Sequence, residues 1–147
     1  MSSRVNLFFL TRPSDPELAY AAPFIRLMAY VRFATLDGFT DIYRAIVDTG
    51  SPVSVVPFRI WARCSVNLFG PDRLASFSGK SECEIPVQAG EVNLVIQDEY
   101  GNQTDKLTVR ADLCDTSEVP LILGMHDVLT RGVLHSDYLG DKAWLEI

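Results

Sequence analysis

One carboxylate in this chain stands where chemistry would explain its position. Asp48 lies in the stretch Ala45-Ile46-Val47-Asp48-Thr49-Gly50-Ser51-Pro52-Val53-Ser54-Val55-Val56. An apolar run delivers it into a tight Thr-Gly-Ser turn, and a second apolar run leads away. Holding an ionisable group between two hydrophobic strands is costly unless the site uses it. A carboxylate held there can take a proton from water or, when protonated, give one to a carbonyl oxygen.

The other reactive residues make weaker cases. Cys64, Cys83 and Cys114 are far apart, odd in number and without a CxxC pair, so they read as free thiols in a reducing compartment. Only two histidines occur, His126 and His135, and neither sits at ligand spacing from a cysteine, so no metal site is expected. His126 reads as a surface or packing residue rather than a base. Gly79-Lys80-Ser81 ends like a phosphate-binding loop, but Leu74 stands where that motif needs a glycine. Trp61 and Trp144 read as core or interface aromatics. Asn102-Gln103-Thr104 is a glycosylation sequon only in a secreted chain.

The elements that must position Asp48 read mostly as strands. Residues 24–36 are rich in Phe, Ile, Tyr and Val, Asp37-Gly38 is a hairpin turn, and residues 39–47 return directly into Asp48. Pro57 can open a short helix over 57–64, followed by a turn at 67–71. Residues 73–76 and 82–88 can pair as a hairpin. Strands are predicted over 82–88, 91–97 and 104–112, separated by turns at Ala89-Gly90 and at 98–102. Asp115-Thr116-Ser117 reads as a polar turn, 125–130 as a second short helix closed by Gly132, and 133–136 with 142–147 as a final strand pair. Residues 1–23, with three prolines between 11 and 23, read as an N-terminal arm or linker ahead of a domain over 24–147.

Composition agrees with one compact domain. The chain has 147 residues, 48% of them apolar, and carries a net charge of -6. Its 13 Lys and Arg are scattered singly along the chain, so nucleic acid is not an expected partner. Leu7-Phe8-Phe9-Leu10 is too short for a leader core or a membrane span, which predicts a cytoplasmic protein without membrane association.

The Asp48-Thr49-Gly50-Ser51 turn with its apolar flanks, and Ile122-Leu123-Gly124 about seventy residues later, resemble the two defining elements of the retropepsin-like aspartic proteases. The resemblance spans residues 24–147 and is nearer to bacterial and cellular members than to retroviral ones. It implies an all-β, retropepsin-like acid-protease barrel with one or two short helices. The implied activity is that of an aspartic endopeptidase without metal or organic cofactor. Two chains would each contribute Asp48, so a homodimer is needed, and the substrate would be an extended polypeptide. Thr49 would reach across the dimer axis, Gly50 would let a backbone N–H approach the carboxylate, and Ser51 would donate to its outer oxygen. Ser76-Phe77-Ser78-Gly79-Lys80 falls where the family has its flap, without the repeated glycines or the tyrosine known there. The resemblance would place residues 143–147 at the dimer interface, where retroviral members interleave their termini. The alternative is a non-catalytic dimeric domain of the same fold that binds peptides or a partner.

Overall fold

A computed structural model describes residues 2–13, 23–76 and 84–147. The described chain is mostly β. In order it forms β1 (Arg4–Asn6), β2 (Phe8–Arg12), β3 (Phe24–Phe33), β4 (Tyr43–Val47) and β5 (Ser54–Val56), then α1 (Phe58–Trp61). There follow β6 (Val66–Leu68), β7 (Arg73–Ser76), β8 (Glu84–Gln97), β9 (Leu107–Cys114), β10 (Ile122–Leu123), β11 (Val133–Asp137) and β12 (Lys142–Glu146). Nine strands form one sheet in the order β2-β3-β4-β10-β5-β9-β8-β6, with β7 also on β8 and a further pairing of β3 with β8. A smaller sheet runs β1-β12-β11.

Alternation drives most of these strands. Leu107 and Val109 point inward while Thr108 and Arg110 face out, as a sheet with one covered face requires. Phe33, Leu94, Ile96, Leu113, Leu123 and Leu145 are among the largest fully buried side chains. Each contributes roughly 1.5–3 kcal/mol by leaving water.

Several sequence expectations are corrected. The turn predicted at Ala89-Gly90 does not occur, because β8 runs unbroken through it. Gly90 serves close approach instead: a Cβ there would lie 2.7 Å from Leu113 Cδ1 and 3.1 Å from the Asn67 carbonyl. Asn67 and Leu68, expected in a turn, belong to β6 and pair with Glu91 and Gly90. The helix predicted at 57–64 is shorter, with Pro57 as its N-cap. The helix predicted at 125–130 is replaced by turns and a short 3-10 segment, Leu129–Arg131. Asp127 sits there at φ 64°, a left-handed conformation that interrupts a right-handed helix.

Residues 1–23 are not simply an arm. Within them β1 pairs with β12 and β2 with β3, and Val5 and Leu7 join the core. The expected role of residues 143–147 also changes. β12 has β1 on one side and β11 on the other, so it offers no free edge for interleaving with another chain. Trp144 packs within its own chain, stacked on His135 with ring centroids 4.5 Å apart and with the Arg4 guanidinium 3.9 Å from its ring.

Candidate functional site

Asp48 directly follows β4, and three short strands converge on it. β10 lies between β4 and β5, parallel to the first (Ile122 beside Ile46, Leu123 beside Val47) and antiparallel to the second (Ile122 beside Val55). The Asp48 N–H donates to the Leu123 carbonyl at 3.0 Å, and the Ile46 N–H to that of Leu121 at 2.9 Å. The two sequence elements singled out above, far apart in the chain, therefore form one hydrogen-bonded unit.

Gly124 explains why that unit ends in glycine. Its absent Cβ would stand 2.3 Å from the Val53 carbonyl oxygen and 2.7 Å from that of Ser51, both backbone atoms of the Asp48 loop. The loop is then held from beneath: Met125 N–H donates to Ser51 O at 2.9 Å, His126 N–H to Pro52 O at 3.0 Å, and Gly124 N–H to the buried Ser54 hydroxyl at 3.0 Å.

The carboxylate itself is half-buried, with Thr49 and Gly50 exposed at the tip of the turn. Gly50 N–H donates to Asp48 Oδ1 at 2.8 Å. A methyl at position 50 would lie 3.2 Å from that oxygen, closer than ordinary contact, so glycine eases the approach. The expected donor role of Ser51 is corrected. Its hydroxyl donates to the Val53 carbonyl at 2.6 Å, and its single proton is thereby committed to the loop's own backbone.

Two ion pairs that the sequence reading missed brace the surroundings. Asp112 of β9, buried and beside Val55, pairs with Arg73 of β7. Asp127 accepts from Arg110 three times, from its N–H at 3.0 Å, its Nε at 2.8 Å and its Nη2 at 3.3 Å. The hydrogen bond from the Arg110 side chain, chiefly, holds the Asp127 carboxyl below the usual carboxylate range. Nothing in the sequence marks either pair, since 39 and 17 residues separate the partners.

Of the flap candidates, Ser76 ends β7 and pairs with Glu84; Phe77, Ser78, Gly79 and Lys80 lie outside the described residues. Asp115-Thr116-Ser117 is a polar turn that caps α1, with Phe58 N–H donating to Thr116 O and Arg59 N–H to the Ser117 hydroxyl, both at 3.0 Å. Burial pushes the Cys64 thiol up to about 11 and the Cys114 thiol up to about 12, which leaves both poor nucleophiles. Cys83 lies outside the described residues. Among the described residues, no three His, Cys, Asp or Glu side chains stand together as metal ligands would. No helix among them is long and apolar enough to cross a membrane.

Neither known protein-family models nor curated protein sequences match this chain.

Proposed function

We propose that this chain is an aspartic endopeptidase of the retropepsin-like kind, with a site completed by a second copy. The observation that carries this reading is the Asp48 loop. A half-buried carboxylate receives the Gly50 N–H, and the loop is seated on the Ile122-Leu123-Gly124 segment through backbone bonds that only glycine at 124 allows. The pairings β3-β4, β4-β10, β10-β5, β5-β9, β9-β8 and β8-β3 return to their starting strand, which supports a barrel of the acid-protease type.

One carboxylate per chain makes two-fold association part of the mechanism. Two Asp48 side chains about 3 Å apart would repel by roughly 5 kcal/mol at an effective dielectric near 20. One therefore keeps its proton and the pair titrates as a unit, the established behaviour of aspartic proteases as a class. The ionised member takes a proton from the water between them as it attacks. The protonated member donates to the scissile carbonyl oxygen, and the diol collapses once the leaving amine is protonated. Exposed Thr49 and Gly50 face outward at the tip, where a second loop would meet them. The substrate would lie extended, with alternate side chains in pockets.

The test is a peptide-library digest between about pH 3 and about pH 7, comparing wild type with Asp48→Asn. Cleavage lost in a variant of unchanged oligomeric state supports the proposal. Equal cleavage by both proteins removes Asp48 from the mechanism. An inert wild type that binds extended peptides points to a non-catalytic binding domain.

A further inference from the structure

Four of the ten arginines line a single groove: Arg12 on β2, Arg26 on β3, Arg44 on β4 and Arg59 on α1. Its volume is about 450 Å³, and apolar residues, Ile42 and Ile46 among them, line it between the arginines. No acidic side chain lines it among the described residues, in a chain whose net charge is -6. None of the four guanidiniums forms an ion pair with a described carboxylate. Two rest on aromatic faces, Arg26 4.6 Å from the Phe24 ring and Arg59 5.8 Å from the Tyr43 ring. Such stacking pre-orients a guanidinium without using its hydrogen-bond donors.

The groove and the candidate site share β4, which gives Tyr43, Arg44 and Ile46 to the groove lining and runs directly into Asp48. Val47 points into the core, so strand alternation puts Arg44, Ile46 and Asp48 on the opposite side of β4. At about 3.3 Å per residue, Arg44 lies roughly 13 Å along the strand from Asp48. That is about four residues of an extended substrate.

Resting on the endopeptidase reading above, we infer that this groove selects acidic polypeptide segments. Glutamate or aspartate side chains about four residues from the bond to be cut would pair with the arginines, while intervening apolar side chains cover Ile42 and Ile46. Charge complementarity picks this occupant: planar guanidiniums take carboxylates in a bidentate manner, and apolar residues interspersed with the arginines suit alternating side chains better than a continuous phosphate backbone.

Binding is measured by fluorescence polarisation on the Asp48→Asn protein, which separates it from cleavage. The probes are a labelled peptide alternating Glu and Leu and its Gln/Leu and Lys/Leu counterparts. The Glu peptide is expected to bind at least about tenfold more tightly than the Gln peptide, and more weakly as salt rises. Arg26→Gln with Arg44→Gln should lose about tenfold per arginine with circular dichroism unchanged, and Arg131→Gln, outside the groove, should bind normally. Equal affinity for all three peptides overturns the inference, as does a Glu-peptide affinity insensitive to the paired arginine change. Preference at the same arginines for an oligothymidylate or for phosphatidylserine vesicles also overturns it. If the wild type binds the Glu peptide through these arginines and cuts nothing, the groove stands and the endopeptidase reading fails. If it cuts peptides without regard to charge, the reverse holds.

Discussion

At the residue scale, Ser51 and Asp48 divide their work differently from what their adjacency suggests. The Ser51 hydroxyl braces its own loop by donating to the Val53 carbonyl, and the carboxylate draws its intrachain hydrogen bond from the Gly50 N–H. Ser51→Ala should therefore cost about 1 kcal/mol of stability, the usual worth of one such bond, read as a lower urea midpoint. It should leave the pH profile of the proposed cleavage where it was, because the hydroxyl does not donate to the carboxylate. Asp98 shows a carboxylate used for structure. Burial by itself would raise its carboxyl, but hydrogen bonds from the Asn6 N–H, the Asn102 side chain and the N–H groups of Asn102 and Tyr100 outweigh that and hold it low. It ties the end of β1 to the turn after β8. The sequence marks this stretch as a turn, but the partner Asn6, 92 residues away, was not legible there.

At the element scale, the turn after β10 matters more than the helix predicted in its place. Its backbone carries the Met125 and His126 donors to the Asp48 loop, and Asp127 anchors it to β9 through Arg110. Since the folded-state Asp127 carboxyl titrates lower than in the unfolded chain, this anchor stabilises fully above the unfolded value, near pH 4, and is lost as pH falls through the folded value. The urea midpoint should accordingly drop as pH is lowered below about 4. Asp127→Asn, a residue that tolerates positive φ, should start lower at neutral pH and fall less steeply. An identical pH slope in wild type and variant would remove Asp127 from the acid sensitivity. Local sequence pattern located the segment but not its form, since one left-handed residue, Asp127, in so short a stretch leaves no periodic signal.

At the scale of the whole molecule, β12 is the centre of a sheet formed within one chain. Ala143 and Leu145 are buried, and Gly132 passes so close to Glu146 that a Cβ there would strike the Glu146 carbonyl. Removing residues 143–147 should thus unfold the protomer rather than release a folded monomer. Loss of the cooperative unfolding transition in circular dichroism is the expected result. A truncated chain that still melts cooperatively and runs as a monomer on gel filtration would instead place the tail between copies. Association in the proposed dimer then falls to other surfaces, beginning with the exposed Thr49-Gly50 tip.

By itself the amino-acid sequence determined the local features: a predominantly β chain, the Asp48 turn between apolar runs, the glycine-ended Ile122-Leu123-Gly124 segment and the final strand pair. These rest on short-range physics, namely side-chain alternation, turn residues and the cost of placing a charge beside hydrophobic strands. Tertiary structure alone decided what depends on distant residues meeting. It straightened β8 past Gly90, joined β1 to β12, paired Arg73 with Asp112, and drew arginines 12, 26, 44 and 59 to one groove. Along the chain those arginines are scattered singly; the pairing of β2, β3 and β4 puts three of them on neighbouring strands, and α1 brings the fourth alongside.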